Sequence, residues 1–171
     1  MPWDEVSVDL IGLWTVKIRG KTTREVFALT IIDTTSNLVE LVQIENKTLE
    51  NVARRFHNTW LARYPQPERV IHNNGREFTG QEFQGLLYNL GIKPAGITIK
   101  NPQSNAICER MHQIIATILK TTIEALPRQN VDDVNNLVED SLAAAMHSLC
   151  ATVSKTLKLM PGWLAFLATC Y

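Results

Sequence analysis

The hydrophobic pattern changes its period once along this 171-residue chain, and that change limits the folds it can adopt. The first part favours strands: apolar residues alternate with polar ones over 6–11, run almost unbroken over 26–32, and return over 38–44 after a turn. Beyond residue 48 the apolar residues recur at helical spacing instead. Three strands joined by short turns predict an antiparallel meander, to which the later segments add.

Helices and short strands alternate in the rest of the chain. Helical patterns begin near Thr48, at Thr79, after Pro102, near Val131 and at Pro161. Short extended runs at 70–71 and 92–99 lie among the first three. The order predicts an α/β domain with a mixed sheet of about five strands, three antiparallel and then parallel, flanked by helices. Because there is no linker or repeat, residues 1–171 are expected to form a single domain.

Two local predictions concern the helices. Thr79 and Glu82 are spaced as a capping box, which predicts a helix beginning at Thr79. In the long helix after Pro102, five apolar residues recur at helical spacing and are expected to face the core. These residues are Ile107, Met111, Ile114, Ile115 and Ile118.

Composition excludes several classes of protein. Lys plus Arg and Asp plus Glu number 17 each, which argues against a basic DNA-coating protein and an acidic disordered tail. Three cysteines without paired spacing make no disulfide framework, and with the four histidines they show no zinc-finger spacing. The N-terminus has no signal-peptide pattern, and no apolar stretch reaches the ~20 residues of a membrane span. We expect a nuclear or cytoplasmic protein without a membrane partner.

Three polar residues stand where chemistry could occur, although pattern alone explains each of them. Asp9 lies within the first strand, where a buried carboxylate needs a positive partner and an exposed one needs none. Asn73 follows a short strand and precedes the Asn74-Gly75 turn, as a turn-forming amide would. Glu109 lies on the polar side of the long helix, where a solvent-exposed glutamate is ordinary.

The segments around these residues together resemble the catalytic core of retroviral and long-terminal-repeat retrotransposon integrases, those of the gypsy type above all. The resemblance rests on VDLIG at 8–12, NNGREF at 73–78 and NPQSNAICERMH at 101–112. The family has Asp, Asp and Glu in these contexts, with 35 residues between the last two, and 35 residues separate Asn73 from Glu109. The likeness covers nearly the whole chain.

This resemblance implies a ribonuclease H-like fold and a polynucleotidyl transferase that processes the 3′ ends of an element and joins them to target DNA. It implies two Mg²⁺ (or Mn²⁺) ions held by Asp9, residue 73 and Glu109. Two hard cations about 4 Å apart need nearby negative charge, which explains the three acids. It also implies DNA as a partner and a homo-oligomer. Lys100, Arg110 and Lys120 are candidates for phosphate contact, and solvated surface charge is the alternative for each.

The chain departs from the family where it has Asn73 in place of the second aspartate. An amide has a neutral oxygen and two N–H donors, and the donors do not suit a cation. We therefore predict one weakly filled metal position and strand transfer that is lost or severely reduced. Glu77 and Asp33 are nearby acids, but the family has acids there beside a functioning aspartate, so neither is expected to substitute.

Other departures are scattered along the chain, which favours drift over a single engineered change. Ala106 replaces a glycine, and Gln113 and Ala116 stand where relatives tend to have Arg and Lys. The zinc-binding N-terminal and basic C-terminal modules of integrases are expected to be absent. Two functions remain open: an integrase catalytic core by descent, catalytically defective, or a non-catalytic, host-adopted module that binds DNA or protein.

Overall fold

A computed structural model describes most of the chain. It covers residues 1–18, 23–44, 46–96, 102–125, 130–153 and 158–168. Within these ranges only the backbone is described for residues 13, 14, 17, 102–108, 122–125 and 165–168.

Five strands form one mixed sheet in the described residues. They are β1 (Glu5–Lys17), β2 (Thr23–Asp33), β3 (Val39–Ile44), β4 (Arg69–His72) and β5 (Lys93–Gly96). Their order across the sheet is β3-β2-β1-β4-β5. The pairs β1–β2 and β2–β3 are antiparallel, whereas β4 joins β1 and β5 joins β4 in parallel. The predicted α/β fold, with three antiparallel strands followed by parallel ones, is confirmed.

Helices connect and cover these strands. The described residues form α1 (Leu49–Phe56), α2 (Arg76–Thr79), α3 (Gln81–Asn89), α4 (Pro102–Ala125), α5 (Val131–Ala151) and α6 (Pro161–Ala168). A π-helical turn over His57–Leu61 extends α1. The predicted helix starts near Thr48, after Pro102, near Val131 and at Pro161 agree with these bounds.

The predicted capping box at Thr79 is wrong. Thr79 is the last residue of α2, and α3 begins at Gln81 with Gly80 as its N-cap. The Thr79 hydroxyl donates to the carbonyl of Gly75 at 3.1 Å, so it is already used within the preceding helical turn. A capping pattern in the sequence therefore marked the correct region but the wrong residue.

Alternating side chains of the sheet supply two hydrophobic cores, one on each face. In β2, Phe27, Leu29 and Ile31 belong to the core beneath α1, α2 and α3. Their neighbours on the strand, including Ala28 and Ile32, belong to the core beneath α4 and α5. Because successive residues of a strand point to opposite faces, a strand covered on both sides reads as an unbroken apolar run, as 26–32 does.

The buried stripe of α4 differs in part from the prediction. Ile115 is buried as expected, and Leu119, four residues later on the same face, is also buried but was missed. Ile114 is 39% exposed, which contradicts its assignment to the core. Met111 and Ile118 pack at the edge of this core, and the side chain of Ile107 lies outside the described residues. The difference amounts to a small rotation of the helix about its axis.

Asn130 caps the N-terminus of α5, so its removal should destabilise the chain. Its side chain accepts from the Asp133 N–H at 2.8 Å, and the Asp133 carboxylate accepts from the Asn130 N–H at 3.1 Å. We expect Asn130→Ala to lower the free energy of unfolding by about 1 kcal/mol in urea denaturation. Asn136→Ala, an exposed position within the same helix, should change it by less than about 0.5 kcal/mol. Equal effects of the two changes would contradict the capping role.

Among the helices described, none combines the length and the apolar character that crossing a bilayer requires.

Candidate active site

Strand geometry directs Asp9 toward α4. Val6 and Val8 of β1 point into the core beneath α1, α2 and α3. Asp9 therefore lies on the opposite face of the sheet, where α4 packs. It pairs with Thr30 of the antiparallel neighbour β2. In the parallel neighbour β4, His72 pairs with Val8, so the residue that follows β4 comes beside Asp9.

That residue is Asn73, and it contacts Asp9 directly. The Asn73 Nδ2 donates to the Asp9 Oδ1 at 2.6 Å, and the Asn73 Oδ1 accepts from the Gly75 N–H at 2.9 Å. Both contacts fix the same orientation of the amide, because a flipped amide would place its oxygen against a carboxylate and its N–H₂ against an N–H. The structure thus brings together two of the three predicted site residues.

A third side chain in contact with Asp9 is His112 of α4. Its Nδ1 lies 3.5 Å from the Asp9 Oδ2, and its Nε2 lies 2.9 Å from the Thr30 Oγ1. The Thr30 hydroxyl also donates to the Asp9 carbonyl at 3.0 Å. Thr30 is fully buried, so this contact holds the imidazole against the sheet.

Glu109 lies on the same helix, three residues before His112 and exposed to solvent. Burial lowers the pKa of the His112 imidazole, and the charges of Asp9 and Glu109 oppose that shift. Glu109 is therefore close enough to His112 to act on it electrostatically. The catalytic and metal-binding roles of Asp9, Asn73 and Glu109 stay a prediction.

The two acids considered as substitutes, Glu77 and Asp33, differ in their relation to Asp9. Burial raises the pKa of Asp9, the His112 and Leu10 contacts oppose this, and the negative charge of Glu77 adds to it. Glu77 is therefore within electrostatic reach of Asp9. Asp33 has a different role, since its buried carboxylate accepts hydrogen bonds from the N-terminal segment and from the turn that follows β2. Its donors are the Trp3 N–H, the Thr35 N–H and the Ser36 hydroxyl.

The donor set around Asp9 does not fit a divalent cation at the Asn73 position. Asn73 turns its N–H₂ toward the carboxylate, while its oxygen, the atom that would ligate a metal, is taken by the Gly75 N–H. Mg²⁺ takes oxygen ligands, and an N–H donor repels it. Among the described residues, no three His, Cys, Asp or Glu side chains converge as a metal site would require.

Two of the three predicted phosphate-contact residues lie in the part of the chain that the structure describes. Arg110 and Lys120 are exposed on α4, as either phosphate contact or a solvated surface would require. Lys100 lies outside the described residues.

Sequence reasoning missed Thr30 and His112, although a signal for each was present. His112 follows Glu109 by three residues, which places both on one side of a helix. Thr30 is the polar residue in the apolar run 26–32, and a lone polar side chain in a doubly covered strand needs a partner. The neighbouring His72 is buried, donates from its Nδ1 to the Asn73 carbonyl at 2.6 Å and stacks on Phe78.

The fold is that of a retroviral integrase catalytic core. The chain matches a crystal structure of the catalytic core domain of BIV integrase with a TM-score of 0.72 and 21% identity, over 98% of this chain and 96% of that one. It matches the HTLV-2 integrase catalytic core domain in complex with magnesium with a TM-score of 0.68 and 18% identity, over 96% and 97% of the two chains. A simian T-cell lymphotropic virus intasome matches with a TM-score of 0.72 and 20% identity, over 96% and 54%.

Sequence comparison adds relatives among retrotransposons. The chain is 26% identical over 148 residues to the Transposon Tf2-3 and Tf2-4 polyproteins of Schizosaccharomyces pombe. The aligned part is 86% of this chain and only 11% of each polyprotein. No protein-family model matches the chain. The predicted resemblance to a retroviral and retrotransposon integrase catalytic core is confirmed.

Proposed function

We propose that this chain is the integrase catalytic domain of a retroelement, by descent a polynucleotidyl transferase for 3′-processing and strand transfer, and catalytically defective as it stands. The fold and the retrotransposon relatives support the first part. The observation that supports the second is the Asn73 amide, which points its N–H₂ at Asp9. An aspartate at position 73 would place a second carboxylate beside that of Asp9.

The proposed cofactor is Mg²⁺ or Mn²⁺, weakened at the Asn73 position. One structural neighbour is an integrase core in complex with magnesium, which supports a divalent cation for this fold. The proposed partners are element ends, target DNA and further copies of this chain. Support for these comes from neighbours described as an intasome and as a trimeric form. A nuclear or cytoplasmic location stays a prediction.

A second candidate is a non-catalytic module, host-adopted, that binds DNA or protein. The contacts of Asp9 favour it, because the Oδ1 of this carboxylate already accepts hydrogen bonds from the Leu10 N–H and the Asn73 amide. The two candidates share one fold. They differ in whether the site around Asp9 can still bind a divalent cation and join DNA.

The test compares the chain with its Asn73→Asp form in a disintegration or strand-transfer assay with Mg²⁺ and with Mn²⁺. The unchanged chain should join no DNA above background. The Asn73→Asp form should join DNA at least about tenfold above background, because even indirect changes around a metal typically alter affinity or activity 10–100-fold.

Asn74→Asp is the matched control, since it adds the same charge one residue away from the triad position. It should stay silent, and Asp9→Asn should abolish any activity that Asn73→Asp recovers. Equal joining by the unchanged chain and the Asn73→Asp form would show that the amide is tolerated. A folded but silent Asn73→Asp form would favour the non-catalytic module.

A further inference from the structure

His72 is a buried histidine between two phenylalanine rings. It is the last residue of β4 and is only 3% exposed. Its ring stacks on that of Phe78 in α2, with the centroids 5.9 Å apart, and meets the ring of Phe83 in α3 edge-on at 6.2 Å. Both phenylalanines are fully buried. In such an apolar setting each ring nitrogen of the histidine needs a hydrogen-bond partner from the protein.

The partners of the two nitrogens are the backbone of Asn73 and the side chain of Gln84. The His72 Nδ1 lies 2.6 Å from the Asn73 carbonyl oxygen. The His72 Nε2 lies 3.3 Å from the Gln84 Nε2, which also donates to the Phe78 carbonyl at 2.7 Å. Gln84 belongs to α3, so these contacts connect that helix to the residue that follows β4.

These contacts leave one arrangement of the protons on His72. The Phe78 carbonyl fixes the amide of Gln84, because a flipped amide would place two oxygens 2.7 Å apart. An amide nitrogen only donates, so the His72 Nε2 is the acceptor and carries no proton. The proton of the imidazole is then on Nδ1, which donates to the Asn73 carbonyl.

Asn73 is therefore held at two points. The His72 ring holds its carbonyl, and the Gly75 N–H holds its side-chain oxygen at 2.9 Å. With both held, the Asn73 Nδ2 donates to the Asp9 Oδ1 at 2.6 Å. His72 packs on Phe78 in the core beneath α1, α2 and α3, so it acts on residue 73 from the face of the sheet opposite to Asp9.

We propose that Gln84 and His72 are positioning residues for the side chain at position 73. Gln84 fixes the tautomer of the imidazole, and the imidazole holds the Asn73 carbonyl so that the side chain faces Asp9. Position 73 matters for chemistry as a member of the triad, so this inference rests on the proposed function. Its test reads the resonances of a ring and of an amide, which do not depend on DNA joining.

The first measurement is the ¹⁵N NMR spectrum of the His72 ring in the full chain at neutral pH. We expect a proton on Nδ1 and none on Nε2, the tautomer that free histidine disfavours in water. Gln84→Met keeps the length of the side chain and removes the donor, so it should shift the Nε2 resonance and populate the other tautomer. Gln81→Met, at an exposed glutamine of the same helix, is the matched control and should leave the ring resonances unchanged. A proton on Nε2 in the unchanged chain would overturn the proposal, and so would ring resonances that Gln84→Met does not move.

The second measurement is hydrogen exchange of the Asn73 side-chain amide, which reports its contact with Asp9. His72→Phe keeps a ring in the core but removes the donor to the Asn73 carbonyl. Exchange should then be about fivefold faster, the equilibrium effect of one hydrogen bond. His72→Asn retains an N–H donor close to the place of Nδ1, so exchange should stay near that of the unchanged chain.

This pair of variants separates positioning from a merely structural role, because His72→Asn disturbs the packing more and the hydrogen bond less than His72→Phe. Exchange as fast in His72→Asn as in His72→Phe, or unchanged in both, would contradict the positioning role. The proposed function fails separately, when the resonances behave as expected but a folded Asn73→Asp form joins no DNA.

Discussion

Trp60→Ala should lower the free energy of unfolding by about 3–5 kcal/mol, the range for truncating a large buried aromatic side chain. Trp60 is fully buried in the π-helical turn after α1. Its ring lies 6.0 Å from that of Trp3 and 4.7 Å from that of Tyr64. Its indole N–H has no hydrogen-bond partner among the described residues, so the loss is one of packing.

Urea denaturation followed by circular dichroism checks this expectation. Trp163→Ala is the matched control, because Trp163 is 64% exposed on α6 and should contribute less than about 1 kcal/mol. If the two substitutions lowered the free energy of unfolding equally, the packing of the aromatic cluster around Trp60 would not stabilise this core.

Asp33→Ala should lower the free energy of unfolding by about 2–4 kcal/mol, because it leaves buried hydrogen-bond donors without an acceptor. The carboxylate accepts from the Trp3 N–H at 3.1 Å, the Thr35 N–H at 2.9 Å and the Ser36 hydroxyl at 2.8 Å. Asp33 is fully buried, so water cannot replace it without a change of structure.

Asp132→Ala provides the comparison in the same denaturation experiment. Asp132 is exposed in the first turn of α5, where a carboxylate contributes about 0.3–1 kcal/mol through the helix dipole. A small effect of Asp33→Ala would mean that the carboxylate is free, and Asp33 would then return as an acid available to the cleft.

Local pattern predicted the elements well but not their exact ends. The run 26–32 and the spacing after Pro102 identified β2 and α4, because periodicity is a property of neighbouring residues. A pattern of apolar residues leaves the exact rotation of a helix about its axis open. For this reason Ile114 was placed in the core and Leu119 was missed. Only the packing of α4 against the sheet decides its rotation.

The amino-acid sequence was enough to determine the strand and helix order, the integrase-like motifs and the uncharged residue at position 73. It did not determine which atoms meet. The contact between Asn73 and Asp9 joins residues 64 apart, and the one between His112 and Thr30 joins residues 82 apart. Such contacts depend on strand pairing and on the rotation of a helix, which no local pattern contains. The tertiary structure therefore decided that the Asp9 carboxylate faces an amide and an imidazole.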